Sequence, residues 1–178
     1  MNYKEVIDVI NEFKAGFDKN QKRDKDGKWV DGEPKGFENS KVRDKDGNLI
    51  KLYHGTNNEF NEFKLSENRF GVGSGVHFSS NIKQAKNYGN IIKEVNLNIK
   101  NPMNFAENFR IRGNILKKEF GKTFKTMTIN DWVKHTRKID SLFRLEALKL
   151  GFDGVFDKNQ PEVIVFDPKQ IHIIKQKI

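Results

Sequence analysis

The stretch Leu49-Ile50-Lys51-Leu52-Tyr53-His54-Gly55-Thr56 carries a strand-like run directly into a histidine–glycine pair. Its first five residues are apolar, β-branched or aromatic around one lysine, which suits a half-buried strand. A strand needs partners, and the remaining candidates lie far down the chain. Val76–Ser79, Ile91–Ile99, Gly154–Phe156, Glu162–Phe166 and Ile171–Lys175 are short apolar runs bounded by turn formers, with Asn101-Pro102 and Asp167-Pro168 as stops. Helical patterns separate them. Residues 81–88 read as a short helix with Asn81 as N-cap. Residues 105–150 read as mostly helical, with an N-cap at Thr128 or Asn130, an apolar stripe of Leu142, Phe143, Leu145 and Leu148, and Gly151 as the stop. The pattern predicts an α+β fold in which short strands from distant parts of the chain pair into a compact mixed sheet, with helices inserted between them.

Working outward, residues 2–17 have Val6, Ile7, Ile10, Phe13 and Phe17 at helical spacing and predict a helix. A polar, turn-rich stretch follows. It contains Arg-Asp-Lys-Asp-Gly at 23–27, and the same five residues return at 43–47. Asp-Gly before an apolar pair signals a turn, because glycine supplies the positive φ that tight hairpins need. The D-x-D-G pattern also opens calcium loops, but the later ligands and the bidentate glutamate are missing. The expected organisation is an N-terminal extension at 1–39 and one domain at 40–178, with a basic helical insert at about 105–150.

Composition narrows the chemistry. The chain of 178 residues has no cysteine, which excludes disulfides, thiolate metal sites and a cysteine nucleophile. Its four histidines, at 54, 77, 135 and 172, lack the spacing of a helical metal pair, so no metal is expected. No apolar run is long enough to span a bilayer and the first residues have no signal-peptide core, so a cytoplasmic protein is expected, with delivery into a host or target cell an open alternative. The net charge is +9, yet residues 1–50 hold eleven basic and eleven acidic side chains, so the excess lies beyond them. Residues 110–138 carry nine Lys/Arg against Glu119 and Asp131. Such a field attracts phosphates, whether of a dinucleotide or of a nucleic acid; a solvated lysine-rich helix face is the plain alternative. Neither a G-x-G-x-x-G loop before a helix nor a G-K-[ST] loop is present.

Three groups of residues carry candidate chemistry: Tyr53-His54-Gly55-Thr56; Gly73-Ser74-Gly75-Val76-His77-Phe78-Ser79 with Ala85-Lys86-Asn87-Tyr88; and Glu162-Val163-Ile164-Val165-Phe166-Asp167 with Gln170-Ile171. Together, in this order, they resemble the ADP-ribosyltransferase superfamily on its diphtheria-toxin-like and poly(ADP-ribose)-polymerase-like side. There a His-Gly-[Ser/Thr] strand end, a glycine-rich strand, a helix ending in Tyr and a Glu heading a late strand form the signature. The stretch at 40–56 and Gly151–Val155 further resemble the ADP-ribosyltransferase domains of phage and mobile-element polyvalent proteins. The resemblance covers about residues 40–175.

It implies an ADP-ribosyltransferase fold with a split sheet and NAD⁺ as substrate. It implies that Glu162, His54 and His77 are catalytic and that His54, Gly55, Thr56, Arg69, His77, Ser79 and Tyr88 contact NAD⁺. His54 would bond the adenosine-side ribose, the Gly55 backbone would hold the carboxamide, Tyr88 would stack on nicotinamide, Arg69 would meet the pyrophosphate and Glu162 would hold the nicotinamide ribose. Glu162 and His54 are then expected to face each other across the NAD⁺ cleft. Gln160, two residues before Glu162, would help choose the acceptor. The sequence departs from the pattern at two positions: His77 replaces the strand tyrosine, and Ala85 replaces a helix hydroxyl. The implied activity is mono-ADP-ribosyl transfer to a protein or nucleic acid, the latter guided by 110–138. NAD⁺ glycohydrolysis and a catalytically inactive NAD- or nucleic-acid-binding module are the alternatives.

Overall fold

In the computed structural model residues 33–65 and 75–177 are described. The expected helix at 2–17, the turn at 23–27 and Arg69 lie outside these residues. The chain divides into two units, Met1–Lys35 and Gly36–Ile178, and everything below concerns the second.

Among the described residues seven strands form one mixed sheet: β1 (Leu52–Thr56), β2 (Val76–Ser79), β3 (Ile91–Leu97), β4 (Pro102–Met103), β5 (Gly154–Val155), β6 (Glu162–Val165) and β7 (Ile171–Lys177). Their order across the sheet is β4-β5-β6-β2-β1-β3-β7. Only β4 and β5 run parallel; the other neighbours are antiparallel. The central joint is thin. β1 shares five register pairs with β3 but meets β2 only at Tyr53↔Ser79.

The helices are α1 (Ile82–Lys86), α2 (Phe105–Phe120) and α3 (Ile129–Lys149). Asn81 caps α1 by accepting the Lys83 N–H at 2.9 Å. Asn104 with Glu107 and Thr128 with Asp131 form reciprocal caps on α2 and α3, which decides the Thr128/Asn130 choice in favour of Thr128. Gly121, at φ +62°, closes α2, so the helical region is two helices rather than one.

Strand alternation sorts the core into two layers. Leu52, Val76, Phe78, Val163 and Val165 face one side, where Val42, Phe63 and Phe156 cover them. Ile164 and Val155 face the other, against Ile111 and Ile115 of α2 and Phe143 and Ala147 of α3. Fully burying each such side chain contributes about 1.5–3 kcal/mol. The apolar stripe of α3 differs from the expected one. Ile139, Phe143 and Ala147 are buried at i, i+4, i+8, whereas Leu145 and Leu148 are 53% and 45% exposed. Leu145 sits two positions from Phe143, which on a helix is the far side. In β3 the polar residues are buried as well: Lys93, Glu94 and Asn96 are all under 9% exposed. This strand lies between β1 and β7 with both faces covered, so its alternation does not mark a solvent face.

The second Arg-Asp-Lys-Asp-Gly forms a turn. Asp44 accepts the N–H groups of Asp46 and Asn48, both at 2.9 Å, Gly47 takes φ +84°, and Arg43 bridges to Leu49. The acidic side chain is spent on the backbone of its own turn.

Candidate functional site

The register of β2 with β6 pairs Ser79 with Glu162 and His77 with Ile164, so His77 and Glu162 share one face, one step apart on the diagonal. His77 Nδ1 lies 2.8 Å from Glu162 Oε1. A carboxylate only accepts, so Nδ1 carries the proton and donates. The side chains are 32% and 45% exposed, which leaves the pair open to a ligand rather than sealed in the core. The His77 hydrogen bond holds the Glu162 carboxyl below its ordinary value; partial burial opposes it, and the charges of His77 and Arg112 add to it. Glu162 is therefore ionised at neutral pH. Its Oε2 has no partner among the described residues.

His54 is placed by β1 among the rings of Phe60, Phe63 and Phe78, with centroids 6.3, 5.1 and 5.6 Å away. Its Nδ1 lies 2.9 Å from the backbone carbonyl of His77, so this nitrogen also donates. Burial lowers the His54 pKa; the carbonyl opposes that, and the charges of His77 and Lys93 reinforce it. The ring is therefore neutral near pH 7, and its Nε2 is an acceptor.

The expected face-to-face placement of His54 and Glu162 is not what the strands produce. Tyr53 pairs with Ser79, so His54 leaves β1 on the side of Phe78, while His77 and Glu162 leave on the side of α2 and α3. The link between them is His77: its carbonyl receives His54 and its imidazole holds Glu162. This becomes possible because β1 and β2 share one pair only, so a side chain takes a carbonyl that a continued ladder would have used.

Gly55 and Gly89 bring α1 onto β1. A Cβ on Gly55 would lie 1.8 Å from the Ala85 carbonyl oxygen, and one on Gly89 would lie 2.1 Å from the Thr56 carbonyl carbon. Only hydrogen fits at either place. Ala85 itself is buried, and the short helix delivers Tyr88 to the surface with 72% of the residue exposed. The structure puts other expected contacts to internal use. The Ser79 hydroxyl donates to Gln84 Oε1 at 2.8 Å and accepts the Asn81 N–H at 3.0 Å, and thus anchors the start of α1. Thr56 Oγ1 accepts the Asn58 N–H at 3.1 Å and shapes the turn after β1. Gln160 lines a separate cavity of about 250 Å³ together with Arg43, Asp44, Lys45 and Lys158; His54, His77 and Glu162 do not line it.

Two charged residues to which the sequence alone gave no site role stand nearby, Lys93 beside His54 and Arg112 on the α2 side of the sheet. Lys93, paired with His54 across the β1–β3 ladder, is 1% exposed and donates to the Phe60 carbonyl, tying the loop after β1 against His54. A lysine inside an apolar strand was its only signal. Arg112 of α2 bonds Asn108 Oδ1 at 3.0 Å and Asp140 Oδ1 at 2.7 Å and lies 4.2 Å from the centre of the Phe143 ring. Asn108 at i−4 is visible in sequence; Asp140 and Phe143, on another helix, are not. No group of three or more His, Asp or Glu suited to a metal occurs among the described residues. Among the described residues no helix is long and apolar enough to cross a membrane.

The family model of the ADP-ribosyltransferase in polyvalent proteins matches residues 44–178. None of the curated proteins matches the chain. Among solved structures, the crystal structure of an anti-CRISPR protein is 15% identical, with a TM-score of 0.41 over 68% of this chain and 96% of that one, a likeness too faint to define the fold.

Proposed function

The chain belongs to the ADP-ribosyltransferases of polyvalent proteins, and from that premise we propose that it is a mono-ADP-ribosyltransferase that moves ADP-ribose from NAD⁺ to a macromolecular acceptor and releases nicotinamide. One observation carries the reading: a half-exposed carboxylate, Glu162, is held ionised by a 2.8 Å bond from His77, and its other oxygen has no partner among the described residues. The seven-stranded sheet, thinned between β1 and β2, supports the split sheet of an ADP-ribosyltransferase fold.

The reaction asks for such a group. The bond between the ribose anomeric carbon and the nicotinamide nitrogen breaks, and its electron pair returns to nicotinamide, which leaves neutral. The sugar passes through an oxocarbenium-like state, as in glycoside hydrolysis. The acceptor then supplies a lone pair to the anomeric carbon and gives up its proton. A fixed anion beside the developing positive charge stabilises that state, and one preorganised group of this kind is worth about 3 kcal/mol. Glu162 Oε2 is suited to accept the nicotinamide-ribose 2′-hydroxyl. Exposed Tyr88 offers a flat face to nicotinamide, whereas His54, on the other face of the sheet, acts through its bond to the His77 carbonyl by fixing the strand that carries His77. His77 stands in for the tyrosine of related sites by orienting the catalytic carboxylate. No covalent enzyme intermediate is needed.

The test uses NAD⁺ labelled in its adenylate phosphate, with cell lysate as the acceptor source. The wild-type chain releases nicotinamide and labels a macromolecule, and Glu162→Gln lowers both by roughly a hundredfold or more. Nicotinamide release without labelling would assign water as acceptor, the glycohydrolase alternative. No release at all would leave an inactive binding module.

A further inference from the structure

Helices α2 and α3 are inserted between β4 and β5, and their outward side combines two features that the site described above does not use. The first is free positive charge. The two acids of residues 110–138 are already engaged, Glu119 with Lys138 and Asp131 with Lys122. Exposed Arg110, Lys117 and Lys125 have no ion pair among the described residues. The second is a run of aromatic rings at the surface. Phe109 and Phe124 are 57% and 37% exposed, with centroids 5.7 Å apart at 74°. Phe124 folds back from the α2–α3 loop over Gly113, where even a Cβ would lie 3.4 Å from its ring, and stacks at 25° on Trp132. Both rings are therefore braced from behind, and each leaves part of its surface to solvent.

Phe109 lies three residues before Arg112 on α2, roughly 5 Å along the helix axis, and α2 packs through Ile111 and Ile115 on the sheet face from which His77 and Glu162 leave.

We propose that this surface binds single-stranded nucleic acid, with unpaired bases stacked on Phe109 and Phe124 and phosphates on Arg110, Lys117 and Lys125, and that this strand is the ADP-ribose acceptor. The acceptor assignment rests on the transferase reading above; the binding surface does not. An acidic protein partner would use the cations and leave the rings idle. An apolar peptide would do the reverse. A duplex keeps its bases stacked on one another. A single strand offers π-faces and phosphates in alternation, which is the chemistry displayed here. In the transfer, a base nitrogen or sugar hydroxyl supplies the electron pair for the new bond to the anomeric carbon, its proton passes to water, and nicotinamide leaves with the pair of the old bond.

The experiment measures fluorescence anisotropy of labelled mixed-sequence 12-mers, single-stranded DNA and RNA and the matching DNA duplex, with the full chain, over a range of salt and without NAD⁺. Phe109→Ala and Phe124→Ala each weaken single-strand binding by roughly ten- to a hundredfold, and Phe109→Trp keeps it. Arg110→Gln with Lys117→Gln reduces the salt slope by about 1.4, at about 0.7 for each phosphate no longer neutralised. The same oligonucleotides are then incubated with adenylate-labelled NAD⁺ and run on a denaturing gel, where the single strand takes the label. Single-strand binding that is absent, no tighter than duplex binding, or indifferent to both phenylalanine substitutions overturns the surface. Label found only on lysate protein overturns the acceptor assignment while the transferase stands. Ring-dependent binding with no nicotinamide released under any condition supports the surface and refutes the transferase reading instead.

Discussion

Replacing Gly55 by alanine is the sharpest test of how this site is assembled. The new Cβ would meet the Ala85 carbonyl oxygen at 1.8 Å and its carbon at 2.8 Å. Ordinary contact begins at about 3.4 Å, so strand and helix must separate by about 1.6 Å. The strand cannot yield readily, because β1 holds five register pairs with β3. Helix α1 must move, although Asn81, the Ser79–Gln84 bond and buried Ala85 pin it. Overpacking of this kind costs about 1–3 kcal/mol, and contact with backbone rather than a flexible side chain places it near the upper end. At about 2–4 °C per kcal/mol for a chain of this size, the melting temperature falls by about 6–12 °C. Tyr88 rides on the displaced helix, so KM for NAD⁺ rises as well. Calorimetry and nicotinamide release measure the two effects. Gly113→Ala is the control: its Cβ meets only ordinary contact with Phe124, and alanine in the middle of α2 stabilises by about 1 kcal/mol. A Gly55→Ala protein that melts within about 2 °C of wild type with unchanged KM would refute the packing of α1 on β1 and the placement of Tyr88 that follows from it.

Three further outcomes follow from the site. His77→Phe removes the hydrogen bond that most depresses the Glu162 pKa, so the carboxyl titrates at higher pH; ¹³C NMR of the glutamate side chains reads the shift, and a midpoint that stays put or falls contradicts the pairing. His54 is held neutral by burial below its ordinary value of 6.5. The unfolded chain therefore binds the extra proton first, and stability is lost as pH drops from 6.5 toward the folded midpoint; His54→Phe flattens that part of the stability–pH curve measured by urea unfolding, and an unchanged slope would count against it. Tyr88→Ala leaves the melting temperature unchanged, because the residue is 72% exposed, but raises KM for NAD⁺ about tenfold as the stacking disappears; equal KM values would remove Tyr88 from the site.

Local chemistry explains what could be read in advance. Asn81 and Thr128 were visible as caps because a short polar side chain before an apolar period has few other uses. Glu162 and His54 were visible because each sits at the end of a strand-like run, in an order shared with a known family. The relation between strands was not visible. Whether His54 and Glu162 leave the sheet on one face or two depends on the single Tyr53↔Ser79 register, and nothing within either strand encodes the register of its neighbour. The same gap hid the burial of Lys93 and Glu94, whose strand has a partner on each edge. It also hid the pairing of Arg112 with Asp140, 28 positions away on a different helix. Leu145 and Leu148 misled because composition marks them as core, while the phase set by Ile139, Phe143 and Ala147 turns them outward.

The parallel pairing of Pro102 with Gly154 and Met103 with Val155 has a consequence for how this molecule can diversify. The chain leaves the sheet and re-enters it at adjacent rungs, so the sheet fixes the doorway and imposes little on the length of what passes through it. Doubling the number of residues in such an excursion adds only about 0.6 kcal/mol of closure cost. Provided that Ile164 and Phe166 keep an apolar cover, the helical hairpin is a replaceable cassette, and a lineage could exchange one recognition surface for another without disturbing a single strand.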